Sequence, residues 1–564
     1  MTELDKVKVS SRREFLLEVG NLLTTGGILA VSGEMLGQPA SGSATASAKD
    51  GSSAAPAGAT ETAGSTSASD SALKYTVAEW TGDDFTNGHK LRDDGLPDLP
   101  KNAEKQVDFV IVGGGIAGLT AAHYLKDHDY LLIEQYEQLG GQSRGGSFQG
   151  LDYSLGAAYI GSVDGDMGDL LSDLGIEPVK LGSEKNAWRF EDRWFKGIDG
   201  SDKIYQCLKQ VIEEAKPLWN RLPGGLPAVP LSSADLLKLD STSFMSCLNQ
   251  ANPAFIKLFD SFCRSANCAG VEGMSALAGM VLAADLVEPS YVFEGGNSRI
   301  ARALANKLDH EDGNASRHTR GFVWAIEPKQ GGASVVYADA SGALHRIDCQ
   351  HVIVAVPLMI AGRILQGLSA EMKSDLLSLQ YGSYLVANLL LKKRCFDVAY
   401  DNFCSEPFTF ADITQADTPY VMAGRYKPQM GSVLTIYQPY DAGPAGRATL
   451  LTADRMQCAQ SMLSQMSQLA SEIGDQVDTV VLTRWGHAMA VTGPGYFATI
   501  SKLNKSQSEW FTLAHSSTQG PPCAEAAVNA ARHAADRAIG MERRKSLIFP
   551  RYSRNQALSG GIIL

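Results

Sequence analysis

Apolar and polar positions along this chain follow two periods, and one short stretch shows both. Val107 to Val112 is an unbroken apolar, largely β-branched run, as expected for a strand buried on both faces. Ile116 to Lys126 has helical spacing, and Tyr130 to Ile133 is a second apolar run that ends at Glu134. That order predicts a βαβ unit. Further on, the apolar run within Cys349 to Pro357 predicts another buried strand. Leu385 to Leu391 and Val433 to Tyr437 read as two more strands, and Thr452 to Ile473 reads as a helix. Pro521 and Pro522 fit the start of a last helix, Glu525 its first turn and Gly540 its stop. No internal repeat interrupts this order. A chain of 564 residues patterned in this way predicts an α/β fold with more than one domain.

The joint between the first strand and its helix carries the most chemistry. It reads Gly113-x-Gly115-x-x-Gly118. Gly113 permits the tight turn, Gly115 lets a pyrophosphate approach the backbone, and Gly118 lets helix pack against strand. The N–H groups of Ile116, Ala117 and Gly118 open the helix, where unpaired donors and the helix dipole favour an anion. Glu134, at the end of the second strand, is placed to accept hydrogen bonds from the ribose hydroxyls. Strand, glycines, helix, strand and acid in register predict a dinucleotide site. The motif alone does not separate FAD from NAD.

The residues beyond Glu134 make that distinction. Leu139-Gly140-Gly141-Gln142-Ser143-Arg144 and Leu151 to Ile160 resemble the flavin amine oxidase superfamily, in which a GG turn with a basic residue lines the diphosphate and flavin. By that resemblance Gly140, Gly141 and Arg144 take that place. Tyr291 to Leu308 and Gly321 to Ile326 resemble the part of the FAD domain that reaches the adenine, with Val323 supplying backbone contacts. Trp510 to Gly540 resembles the terminal flavin-contacting strand and helix, whose N-terminal dipole favours negative charge on reduced flavin. Ser516 and Ser517 stand where the family usually has an acid, so Ser517 is the cofactor contact expected there. The resemblance spans roughly residues 104 to 540. Within the superfamily the chain is most similar to exported spermidine dehydrogenase-like proteins. The residues that carry this are the Arg12-Arg13-Glu14-Phe15 segment, His89 to Asp93, Asn297 to Arg302 and Ser432 to Tyr437.

The resemblance implies a Rossmann-like, discontinuous FAD-binding domain and a mixed α+β substrate domain, and an enzyme that removes hydride from an amine. The family often uses a lysine near the flavin, but here the position reads Tyr384 to Asn388, with Lys392 and Lys393 displaced. Tyr496 supplies one wall of the expected aromatic cage; between Ser516 and Ala524 there is no aromatic for the other. His487, Trp485 and His515 are candidates for flavin or substrate contact, and Tyr437 and Tyr440 for pocket lining, each with core packing as the plainer reading. Asp240 to Phe244 resembles a family helix start. Spermidine dehydrogenase-like proteins also carry haem, which makes His89 a candidate iron ligand, although no CxxCH accompanies it.

Ser11-Arg12-Arg13-Glu14-Phe15-Leu16 ahead of a broken apolar segment resembles a twin-arginine export signal, which implies the export machinery as partner and a periplasmic destination. Residues 1–45 read as the signal, 46–73 as an Ala/Ser/Gly linker and 74–103 as an N-terminal extension. Residues 104–189, 285–365 and 499–540 read as the FAD domain, 190–284 and 366–498 as the substrate domain, and 541–564 as a C-terminal extension. A net charge of −12 argues against a nucleic-acid partner. Nine scattered cysteines suggest buried free thiols with room for one disulfide, rather than a disulfide framework or a zinc site. The substrate expected is a small amine, and the electron acceptor stays open between oxygen, a quinone and a redox protein. A desaturase or dehydrogenase of a non-amine substrate and a non-catalytic flavin-binding protein are the alternatives on the same fold.

Overall fold

The computed structural model describes residues 74–182, 185–190, 192–196, 231, 233–248, 253–285, 289–310 and 317–548. The signal at 1–45, the linker at 46–73 and most of the first insertion lie outside the described residues.

The predicted βαβ unit is present: β1 (Lys105–Val112), α1 (Ile116–Tyr124) and β2 (Tyr130–Glu134). Its strands are buried on both faces, with Phe109, Val110 and Ile111 wholly inaccessible, which is why the sequence there is apolar without alternation. Three long strands join them, β3 (His318–Lys329), β4 (Gly332–Asp339) and β5 (Leu344–Val354). The sheet order is β4-β3-β2-β1-β5, and the short strand Phe511–Leu513 completes the far edge. From β3 to that last strand every pairing is parallel. Helix α2 (Ser298–His310) and the terminal helix α3 (Ala524–Ile548) complete the layer beside α1. Small residues of α3, among them Ala527, Ala531 and Ala534, are buried with Leu119 and Ala122 of α1, so the two helices pack closely.

The second sheet is built from β6 (Tyr381–Leu391), β7 (Asp401–Phe403), β8 (Asp412–Gln415), β9 (Ser432–Tyr440) and β10 (Val477–Ala490). The spatial order is β10-β6-β9-β8-β7. Alternation along these strands separates two faces. Leu385, Ala387, Ile413, Ile436 and Leu482 point into a core with Met462 and Met466 of helix Arg455–Leu469. The other face carries Tyr384, Val386, Tyr437 and Trp485 and meets the first domain at its loop 155–158.

Several sequence expectations shift. The N-terminal extension is part of the second sheet, because Thr76–Val77 and Thr81–Gly82 both pair in parallel with β10. Strand Asn186–Phe190, which the expected boundary divides at 189, belongs to the second sheet, where Asn186 to Trp188 pair with β7. Helix Tyr496–Lys505 crosses the division set at 498/499. Gly540 does not stop α3, which runs on to Ile548. An interior glycine costs a helix only about 1 kcal/mol, which tertiary packing overrides. Asp240 ends helix Ala234–Asp240, a 3-10 helix follows at Phe244–Leu248, and the Asp240 carboxylate accepts the N–H groups of Phe497 (3.1 Å) and Ala498 (2.9 Å) at the start of the helix at 496. Cys263, Cys268, Cys395, Cys404 and Cys458 are free thiols; Cys207 lies outside the described residues.

Candidate cofactor and substrate site

The glycine turn brings bare backbone to the start of α1. Gly113 has φ +104°, and a Cβ there would lie 2.6 Å from the Ala355 carbonyl oxygen. A Cβ on Gly118 would overlap the Gly113 carbonyl oxygen at 1.8 Å, so these two glycines are steric necessities of the fold. Gly115 differs. Its backbone is extended (φ −75°, ψ −176°), and the nearest atom to a Cβ placed there is the Gly141 Cα at 3.9 Å. Gly141 (φ +56°) packs directly against it, a Cβ there lying 3.0 Å from the Gly115 Cα. Two glycines of separate segments bare their backbones to one space at the N-terminus of α1, where donors without intrahelical partners are available to an anion.

Glu134 closes one side. Its Oε2 accepts the Gly114 N–H at 2.6 Å and its Oε1 the Tyr136 N–H at 2.9 Å. Burial raises its pKa, while those N–H groups and Arg144 oppose the shift. Arg144 donates to the Gly141 carbonyl (3.1 Å) and the Gly82 carbonyl (2.7 Å), with its guanidinium over Tyr136 at 4.4 Å and Trp485 at 5.1 Å. It therefore ties the GG turn to the N-terminal strand and to β10. Val323 is buried on β3, beyond the point where Arg320 pairs with Glu134. The residues present fit FAD. Gly115, Gly141 and the start of α1 would hold the diphosphate, Glu134 the ribose, and Val323 the adenine side.

The aromatic residues expected at the site bond to separate segments of the first domain. Trp485 donates its Nε1–H to the Leu155 carbonyl at 2.9 Å, and Tyr437 its hydroxyl to the Gly156 carbonyl at 2.7 Å, pinning the loop of the first domain to the second sheet. Tyr440, one of the two tyrosines expected to line a pocket, instead packs into the opposite core. Tyr496 is buried and donates to the carbonyls of Gly520 (2.9 Å) and Ser517 (3.2 Å). Burial pushes its pKa far up, so it stays a donor, a positioning group rather than an acid or base. Ser517 is wholly buried, and its N–H donates to His515 Nδ1 at 3.2 Å. Burial drives the His515 pKa down to about 4, leaving a neutral ring whose Nδ1 accepts. The acid the family usually has here is thus replaced by a neutral His–Ser turn. Glu525 is turned away from it, accepting from Gly161 (2.6 Å) and Ser162 (3.0 Å).

His487 lies across from Tyr381, ring centroids 6.1 Å apart, and Gln142 donates to its carbonyl at 3.2 Å. Its pKa falls to about 4, first from burial and then from the positive charges of Arg447, His89, Arg363 and Arg92. His89 sits on helix Thr86–Asp93, its ring tilted against Phe85 with centroids 5.0 Å apart. Among the described residues no group of three His, Cys, Asp or Glu side chains is placed to hold a metal ion.

Sequence reasoning misses two residues. Asp83 is partly buried, taking the Gly486 N–H at 2.8 Å and facing Arg144; desolvation raises its pKa and the Arg144 charge opposes this. Tyr381, with pKa pushed up to about 12 by burial, takes the Leu358 N–H at 2.9 Å. Neither stands in a motif, because each reaches the site only through the pairing of distant strands.

A parallel sheet that delivers a glycine-lined diphosphate gap and a ribose acid, facing an antiparallel sheet with an aromatic face, defines a two-domain FAD-dependent oxidoreductase. Residues 116–539 match the family described as flavin containing amine oxidoreductase, and the chain belongs to that family. It is an FAD-dependent, amine-oxidase-like enzyme. Over 366 residues it is 22% identical to the oxidoreductase PigB of a Serratia species, spanning 54% of this chain and 54% of that one. Over 83 residues it is 35% identical to the flavin-containing amine oxidase A of Sus scrofa, covering 14% of this chain and 16% of that one. The chain thus spans about half the length of the first of these relatives and less of the second. Among solved structures, cyclohexylamine oxidase from Brevibacterium oxydans superposes with TM-score 0.62 at 15% identity, over 78% of this chain and 100% of that one. Putrescine oxidase bound to putrescine gives TM-score 0.60 at 15% identity, over 77% and 99%. Identities this low speak for a shared fold alone.

Proposed function

We propose that this protein oxidises an amine at the carbon beside its nitrogen, and that it does so after export by the twin-arginine route. The observation that carries the catalytic reading is the junction at loop 155–158. Tyr437 and Trp485 of the second sheet bond directly to it, so a molecule lodged against that sheet face lies beside the dinucleotide site. Bound FAD supplies hydride acceptance from a neutral amine. The chain's own residues set the conditions. Neutral His487, among Arg447, Arg363 and Arg92, marks an end of the site where a second positive charge is disfavoured, which favours the unprotonated amine that hydride loss requires. Tyr496 holds the terminal turn in place, Tyr381 holds the segment at Leu358, and with Trp485 both exclude water.

A polyamine is the substrate to test first, supported by the likeness of His89 to Asp93 and Ser432 to Tyr437 to spermidine dehydrogenase-like proteins. Export is supported by Arg12-Arg13-Glu14-Phe15 and the small-residue linker after it. Anaerobic addition of spermidine and a panel of simple amines to the FAD-loaded protein is expected to bleach the oxidised-flavin band. Intact flavin that no amine reduces would overturn the reading. Fractionation of cells producing the full chain is expected to recover it outside the cytoplasm, and loss of export on Arg12→Lys with Arg13→Lys checks the signal.

A further inference from the structure

The sheet face that meets the first domain carries a polar stripe that the dinucleotide site does not use. By register, Asp401 on β7 lies opposite Thr414 on β8, Thr414 opposite Thr435 on β9, and Thr435 opposite Asn388 on β6. In the neighbouring row Asp412 lies opposite Tyr437. Asp401 and Asp412 are each 3% exposed and Asn388 is wholly buried. Asp412 accepts the Ser265 hydroxyl at 2.5 Å and is hydrogen-bonded to Asp401. Two buried carboxyl groups in contact do not both ionise. Burial raises both pKa values, Asp412 to about 7 and Asp401 well above the usual carboxylate range, the latter also through the charge of Asp412. The ammonium of Lys185, which donates to Ser290 Oγ at 2.7 Å, pulls Asp401 the other way.

Two atoms of this stripe point to a ligand. Among the described residues Asp401 Oδ1 and Asn388 Nδ2 have no hydrogen-bond partner, although both are sealed from solvent. A purely structural network does not ordinarily leave both an acceptor and a donor open, because each forfeits its hydration without recompense. The stripe also leads somewhere. Through Tyr437 it reaches the Gly156 carbonyl, and Tyr400 beside it stacks edge-on against Tyr159, 6.1 Å away and 36% exposed. Acid pair, aromatic rings and the loop beside the dinucleotide site are thus continuous.

We propose that Asp401 and Asp412 anchor the distal ammonium group of the substrate, so that the protein selects diamines and longer polyamines over monoamines. This rests on the amine reading above. An arriving ammonium replaces the proton shared by the pair, which leaves to solvent, so charge stays balanced at the buried site. Asp401 Oδ1 gains a donor, and the faces of Tyr400 and Tyr437 add cation–π attraction. A monoamine, whose one nitrogen must be neutral to react, has nothing to offer the pair. The basic groups around His487 and the acid pair thereby give the site a direction.

The test compares 1,4-diaminobutane with n-butylamine, equal in chain length, by anaerobic flavin reduction in the FAD-loaded wild type, D401N and D412N. Wild type is expected to prefer the diamine in kcat/KM, and each variant to lower that diamine-to-monoamine ratio about ten- to a hundredfold, the scale of one charge-assisted contact, mainly through KM. Equal kcat/KM for the two amines in wild type overturns the anchor while leaving amine oxidation standing. Reduction by neither amine overturns the amine reading and the anchor with it. A ratio unchanged in D401N and D412N that retain flavin and wild-type melting also overturns the anchor. Should those variants lose flavin, the wild-type comparison alone decides.

Discussion

Replacing Gly115 with alanine separates cofactor binding from folding. The Gly115 backbone is one that any residue adopts, and the new methyl would find only the Gly141 Cα, at 3.9 Å, an ordinary contact. Restricting the unfolded chain contributes about 0.4–1 kcal/mol, and alanine at a helix N-cap costs a similar amount relative to glycine. The cofactor-free variant should therefore melt within about 1 kcal/mol of wild type. The methyl, however, stands in the gap where a diphosphate would approach the start of α1. Losing one or two charge-assisted N–H contacts, each about 1.5–3 kcal/mol, raises the FAD dissociation constant roughly ten- to a hundredfold or more. The contrast is Gly118→Ala, whose Cβ overlaps the Gly113 carbonyl oxygen at 1.8 Å and which should damage the fold itself. Flavin content on purification, titration of cofactor-stripped protein with FAD, and thermal melting of the stripped form check all three expectations. Wild-type flavin affinity in Gly115→Ala would refute the placement of the diphosphate.

Glu134→Gln keeps an acceptor for the Gly114 or Tyr136 N–H but removes the charge that suits ribose hydroxyls, so FAD affinity should drop about tenfold with little change in melting. Tyr496→Phe leaves the carbonyls of Ser517 and Gly520 without their donor, which should cost about 1–3 kcal/mol in denaturant titration and alter the bound-flavin spectrum. Asp83→Ala strands the Gly486 N–H and should cost about 1–3 kcal/mol, with limited proteolysis then cutting the segment before residue 84. The His515 pKa, near 6.5 unfolded and about 4 folded, makes its neutral form stabilising above pH 6.5, a contribution lost as pH falls toward 4. Lowering pH from 7 to 5 should therefore cost wild type about 2 kcal/mol more than His515→Asn, and equal slopes in the two proteins would count against a buried neutral ring.

The dinucleotide half was legible because its constraints are local. Gly113, Gly115, Gly118 and Glu134 sit where strand–turn–helix stereochemistry requires them, within one stretch of chain. The second half is assembled from afar. Asp401 and Asp412 meet only because β7 and β8 pair, and read singly each is an ordinary polar residue in a weak strand. Residues 76–83 carried no signal, since two-residue strands have no periodicity, yet Gly82 and Asp83 end up against Arg144 and Gly486. Gly540 misled for a related reason. Breaker residues report local preference, and the buried alanine face of α3 outweighs a single glycine.

Strand Phe511–Leu513 closes the first sheet by lying beside β5, a partner made some 160 residues earlier. A ribosome must therefore finish nearly the whole polypeptide before the nucleotide half can shut. Nascent chains halted short of that point will expose an apolar sheet edge, and the vitamin-derived coenzyme can be captured only late in synthesis. For anyone cutting this protein into pieces, the consequence is plain: its two halves are interleaved in the gene, and no single cut releases either one whole.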